Sequence, residues 1–279
     1  MNVAVVGLGL IGGSIALATR AKGFDADAAV RRAARARHIS VADDLDSAVR
    51  DADVVVLAVP ADALSAAFRD AGRAAPSAVL TDVASSKRDL EQIASEAPRG
   101  ARVVGGHPLA GSTGRGVAAA DAALFRGRAW AVVPTSRSDV DAVRQVGDLA
   151  RATGARPIVL SIERHEALMR WLVRAPLAVS AALAWSAATE SPEGLVELAG
   201  PGFRDTTRLA GTPPQLADEL LLRGDASALA DVLRAIATTL GDWADEIGRG
   251  DVAAVRAELD AARDLRAQLD RANADSSEK

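Results

Sequence analysis

Val3-Ala4-Val5-Val6-Gly7-Leu8-Gly9-Leu10-Ile11-Gly12 runs an apolar segment of strand length directly into glycines spaced G-x-G-x-x-G. Residues Ser14–Lys22 then read as a helix. This order, a buried strand, a glycine-rich turn and a helix, is the context in which the motif carries meaning. Gly7 allows a tight turn, Gly9 lets the backbone approach a pyrophosphate, and Gly12 lets the helix pack close to the strand. The N–H groups at the helix start and its positive dipole end suit phosphate. Gly7, Gly9, Leu10, Ile11 and Gly12 are therefore candidate cofactor-binding residues.

Working outward, the β-branched runs Asp53–Ala58, Ala78–Asp82, Arg102–Gly105, Ala129–Pro134 and Ala155–Leu160 alternate with alanine-rich helical stretches. Continuous apolar strands separated by helices indicate a parallel sheet covered on both faces. The expected fold class is α/β: an N-terminal, doubly wound Rossmann sheet over residues 1–161, then an all-α domain over residues 162–279. From Glu163 onward the period is helical, with Pro176, Gly200-Pro201-Gly202 and Pro213-Pro214 as punctuation. Asp225–Leu240 and Asp251–Leu269 read as amphipathic helices, and Ala272–Lys279 as a frayed polar end. Ala178–Ala188 is apolar nearly all round, as a helix buried in a domain or dimer centre would be.

The composition narrows the function. The 279 residues are 49% hydrophobic and 25% charged with net charge −4, so the chain buries a core and shows no nucleic-acid-binding face. The absence of cysteine excludes disulfides, thiol catalysis and Cys-ligated metal. His38, His107 and His165 are too scattered for a histidine-rich metal site, so no metal is expected. The first apolar run is too short to span a bilayer and follows no basic leader, which makes a cytoplasmic protein without a membrane partner the expectation.

The second strand of such a fold ends with the residue that reads the adenosine ribose. Counting along Gly23–Arg32, the acidic position falls near Val30, with Arg31 and Arg32 after it. Guanidinium groups without a carboxylate favour a 2′-phosphate, so NADP is expected over NAD. The alternative is that Asp27 or a shifted register supplies the carboxylate. After Asp53–Pro60, backbone near Val59 is expected to line the nicotinamide side.

Two further motifs carry chemistry: Asp82-Val83-Ala84-Ser85-Ser86-Lys87, and Gly105-Gly106-His107-Pro108-Leu109-Ala110-Gly111-Ser112. Strand ends of a doubly wound sheet face the ligand crevice, where a histidine is well placed for proton transfer.

With Gly7–Ser14, Asp82–Lys87 and Gly105–Ser112, the sequence resembles the prephenate dehydrogenase family, which includes arogenate dehydrogenases. Glu163-Arg164-His165-Glu166 is similar to the family's E-x-H-D motif, and Gly202–Arg208 to its G-F-[RK]-D-x-T-R motif. The resemblance spans roughly residues 3 to 210. It implies oxidative decarboxylation of a cyclohexadienol carboxylate, in tyrosine biosynthesis, by a homodimer joined through its helical domain. By the family pattern His107 is the base toward the ring hydroxyl, with Ser85 holding that hydroxyl or the histidine. Arg208 binds a substrate carboxylate; Arg204, Arg174 and His165 are further substrate-side candidates, and Asp205 is a possible partner of either Arg204 or Arg208.

One departure stands out. Where the family carries S-H-L-P-H, this chain has Val173-Arg174-Ala175-Pro176-Leu177, so a fixed positive charge replaces an imidazole. That keeps open a specialised relative acting on a modified substrate such as 4-amino-4-deoxyprephenate, and a non-catalytic NADP-binding sensor. A β-hydroxyacid dehydrogenase is disfavoured, because Glu163–Glu190 holds no lysine.

Overall fold

A computed structural model of the chain describes residues 1–111, 114–190, 193–222 and 225–277. Ser112, which closes the Gly105–Ser112 motif, lies outside the described residues. The chain divides into two compact units, residues 1–165 and 166–272.

The first unit is an eight-stranded sheet with helices on both faces. Its strands are β1 (Val3–Val6), β2 (Lys22–Phe24), β3 (Ser40–Val41), β4 (Val54–Leu57), β5 (Val79–Asp82), β6 (Arg102–Pro108), β7 (Ala129–Pro134) and β8 (Arg156–Val159). Its helices are α1 (Leu10–Thr19), α2 (Ala28–Ala36), α3 (Leu45–Val49), α4 (Leu64–Ala74), α5 (Leu90–Glu96) and α6 (Val140–Ala152); α7 (Ile162–Met169) begins in it. The strand order is β3-β2-β1-β4-β5-β6-β7-β8. The order reverses between β1 and β4, the point at which doubly wound sheets take ligands. Alternate residues along the strands enter separate cores. Val5, Val56 and Val104 face one side, and Val6, Leu57 and Leu80 the other. Burial on both faces is why these strands read as unbroken apolar runs.

The sheet differs from expectation in one respect: β7 pairs antiparallel with β6, and β8 parallel with β7. Among the described residues, the connection after β6 contains no crossover helix of the kind a parallel return uses. It docks instead beside α1 and α2, where Asp121 N donates to Ser14 Oγ (2.9 Å) and Arg37 Nη2 donates to Ala120 O (2.6 Å). Helix α1 also starts earlier than its expected Ser14, at Leu10, and ends at Thr19.

The second unit is helical. α7 passes through a π-helical turn, Arg170–Arg174, into α8 (Ala175–Glu190). There follow α9 (Leu195–Leu198), α10 (Pro201–Thr206), a 3₁₀ turn (Arg208–Gly211), α11 (Pro214–Leu221), α12 (Ala226–Arg249) and α13 (Ala253–Ser277). Asp225 caps α12 by accepting from Ala228 N, and Gly250, at φ +75°, ends it. α12 thus runs through Gly241 and beyond the expected Leu240, and α13 through the expected frayed end to Ser277. Along α8 only Ala175, Leu177 and Ser180 are buried, while Trp185 is 73% exposed.

Candidate functional site

The glycine-rich turn is built as its spacing predicts. Gly7 has φ +92°, and a Cβ on it would lie 2.3 Å from Ala58 O. A Cβ on Gly12 would meet Gly7 O at 1.9 Å. Both positions therefore exclude a side chain, one by conformation and the other by close strand–helix contact. Gly9 is different: it caps α1, and no atom lies within 4 Å of the place its Cβ would take. Open space at a helix N-terminus fits a pyrophosphate, and the chain supplies Gly9, Leu10 and Ile11 around it. Val59, just after β4, sits beside the same turn, with Cγ1 at 3.3 Å from the Gly7 Cβ position.

The count along the second strand needs correction. β2 ends at Phe24, so the residue at the strand end is Asp25, not Val30. Asp25 Oδ2 accepts from Leu8 N (2.8 Å) and Oδ1 from Asp27 N (2.9 Å), which ties the carboxylate to the glycine-rich turn. Arg31 lies on α2, where its Nη1 donates to Asp25 O and Ala26 O and its guanidinium lies 5.7 Å from the Phe24 ring centre. Arg32 is exposed on α2.

The ends of β5 and β6 are locked together through one carboxylate. Asp82 Oδ1 accepts from Gly106 N (3.2 Å), and Oδ2 accepts from Ala84 N (2.9 Å) and pairs with Lys87 Nζ. Both side chains are almost fully buried. A buried pair of this kind costs desolvation and is sustained by added hydrogen bonds; here Lys87 Nζ also donates to Ala84 O (2.7 Å). Glycine is required at position 106, since a Cβ there would lie 2.6 Å from Asp82 O. The result fixes the turn carrying Ser85 against the strand that carries His107.

His107 is 6% exposed and meets a second histidine. Its Nδ1 lies 3.0 Å from Nε2 of His165, which is fully buried, with the rings edge to face. His165 reaches this position from the first turn of α7, where Ser161 acts as the cap: Arg164 N donates to Ser161 Oγ (3.2 Å) and His165 N to Ser161 O (2.9 Å). One nitrogen of the pair must donate and the other accept. If His107 donates from Nδ1, its Nε2 carries a lone pair able to take a proton, and His165 then stabilises the cation formed.

In the helical unit, Arg174 is buried and pairs with Glu166, Nη2 to Oε2 at 2.7 Å. The positive charge expected at this position is thus balanced within the chain. Two of the departures from the family pattern, Glu for Asp at 166 and Arg for His at 174, meet in one ion pair. Arg204 Nε donates to Ala199 O (2.8 Å) at the end of α9. Arg208 is exposed on the 3₁₀ turn, and among the described residues neither arginine pairs with Asp205. Sequence reasoning missed Asp25, the contact between the two histidines and the Glu166 pair.

Comparison with known proteins agrees with the geometry. Residues 15–159 match the family described as "Prephenate dehydrogenase, nucleotide-binding domain", and residues 161–260 match "Prephenate dehydrogenase, dimerization domain". The chain is 32% identical over 237 residues to the prephenate dehydrogenase of Bacillus subtilis (strain 168), covering 79% of itself but only 63% of that protein. It is 31% identical over 270 residues to the probable prephenate dehydrogenase NovF of Streptomyces niveus, covering 88% and 72%. The structure of Synechocystis arogenate dehydrogenase superposes with a TM-score of 0.81 at 26% identity, covering 96% of this chain and all of that one. Prephenate dehydrogenase from A. aeolicus, in complex with hydroxyphenyl propionate and NAD+, shares the fold with a TM-score of 0.85 at 23% identity, covering 96% and 98%. The chain belongs to the prephenate dehydrogenase family.

Proposed function

We propose that the protein catalyses the oxidative decarboxylation of prephenate or arogenate with a nicotinamide cofactor, serving tyrosine biosynthesis. The observation that carries this reading is the buried His107–His165 contact at the end of β6, in the unit that also holds the glycine-rich turn. A bound nicotinamide supplies the hydride acceptor. His107 takes the proton of the ring hydroxyl at Nε2, with His165 accepting from Nδ1. Ser85 orients the same hydroxyl. Arg208 holds the ring carboxylate, which departs as CO₂ when the ring becomes aromatic; Arg204 lies on the neighbouring helix. The protein's task is to orient the ring and stabilise the developing charge.

For the cofactor our reading favours NAD. Asp25 stands at the strand end where a carboxylate accepts from ribose hydroxyls and repels a 2′-phosphate. Arg31, one of the two arginines behind the NADP expectation, is occupied with the β2–α2 turn. A second reading, a specialised enzyme for a modified prephenate, draws support from the altered Val173–Leu177 segment. A homodimer through α8 fits both, since Val179, Leu183 and Trp185 are exposed in the single chain.

The test is cofactor reduction by the purified protein with prephenate and with arogenate, each against NAD and NADP. Turnover of either, faster with NAD, is the expected result. Binding of NAD without turnover of either compound overturns the substrate assignment in favour of the modified analogue.

A further inference from the structure

Among the described residues, three buried side-chain polar atoms lack a hydrogen-bond partner: Trp130 Nε1, Arg170 Nε and Arg174 Nη1. Two of the three belong to arginines one helical turn apart, at either end of the π-helical turn of the second unit. Such orphans are rare in folded proteins, because a buried donor without an acceptor carries its full desolvation cost. π turns are themselves uncommon and concentrate at functional sites.

The charge balance points the same way. Arg174 has a side chain only 2% exposed and spends one nitrogen on Glu166. Arg170 forms no ion pair among the described residues, and Glu166 is the one acid between positions 166 and 174. That leaves two buried N–H donors without an acceptor, a need of the kind a carboxylate ligand meets.

We propose that Arg170 and Arg174 form a carboxylate subsite in the helical unit and receive the side-chain carboxylate of the substrate, while Arg208 receives the ring carboxylate. This rests on the proposed function, since it divides the two carboxylates of a prephenate-like dianion between two arginine sites. Glu166 has a definite part: by neutralising Arg174 it holds that guanidinium in place and leaves Arg170 to supply the net charge.

The test separates the subsite from the reaction. Hydroxyphenylpropionate keeps a side-chain carboxylate and has none on the ring, so its binding, measured calorimetrically with NAD saturating, reads the subsite alone. Arg170→Gln removes a residue with no ion-pair partner and leaves no buried charge behind. It is expected to weaken hydroxyphenylpropionate roughly tenfold to a hundredfold, with NAD affinity and Tm unchanged. Arg174→Lys keeps the pair with Glu166 but loses the second donor, and is expected to show a smaller loss. Arg208→Gln is expected to cripple prephenate turnover while binding hydroxyphenylpropionate as the wild type does. The proposal is overturned if wild-type protein does not bind hydroxyphenylpropionate, or if both Arg170→Gln and Arg174→Lys bind it normally. Loss of binding in Arg170→Gln, in a protein that turns over neither prephenate nor arogenate, keeps the subsite and rejects the reaction. Unchanged binding beside normal turnover does the reverse.

Discussion

Replacing His165 with phenylalanine isolates what the second histidine contributes. Phenylalanine keeps an aromatic ring in the fully buried place of the imidazole and removes the acceptor that faces His107 Nδ1 at 3.0 Å. Between neutral rings that bond is worth about 1 kcal/mol net, and once His107 carries the proton it becomes charge-assisted, worth roughly 1.5–3 kcal/mol. The difference, on the order of 1.5 kcal/mol, belongs to the barrier and corresponds to about tenfold in rate. The assay is single-turnover reduction of enzyme-bound NAD by prephenate, followed by absorbance, so that product release does not mask the step. We expect about a tenfold slower rate in His165→Phe, with NAD affinity intact, and substantial recovery in His165→Gln, whose amide oxygen can accept from Nδ1. His107→Asn should abolish turnover. A His165→Phe enzyme that reacts within twofold of wild type, beside an inactive His107→Asn, would refute the coupling of the two rings.

Three other perturbations probe separate parts of the molecule. Asp25→Asn removes the carboxylate charge at the end of β2 and should shift the NAD to NADP affinity ratio toward NADP by about tenfold; fluorescence titration with both nucleotides checks it, and an unchanged ratio rejects the ribose role. Ser161→Ala deletes the cap that starts α7 and should cost about 1 kcal/mol of stability, seen in denaturant unfolding; a loss within error means the cap is idle. Trp185→Glu places a charge on the exposed face of α8 and should convert a dimer to monomer in sedimentation velocity. A dimer that persists assigns the interface elsewhere.

Much of this architecture was legible in the sequence because two periodicities dominate it. Glycine spacing after Val3–Val6 located the dinucleotide turn, and burial on both faces wrote β4, β5 and β6 as apolar runs. Strand direction left no such trace. β7 and β8 are as apolar as their parallel neighbours, and their reversal depends on how residues 114–128 dock beside α1. Asp25 was passed over because α1 and β2 are both short, which brings the strand end only thirteen positions after Gly12. The family motifs pointed to His107 and His165 separately. Their contact depends on α7 starting at a capped Ser161, close behind the edge strand β8, and pairing at long range has no local signal.

Helical phase explains why the Glu166–Arg174 pair was invisible. In a regular α-helix each residue turns about 100°, so positions eight apart sit roughly 80° out of line. The π turn absorbs one residue, and the two side chains then stand nearly as a seven-residue pair does, about 20° apart on one stripe. The extra residue thus works as a phase shifter between α7 and α8. A single-residue deletion within 170–174 would leave a regular helix and keep Glu166 in phase with the arginine, then seven positions on. Relatives that lack the extra residue should therefore still be able to place an ion pair across this turn, at a spacing of seven rather than eight.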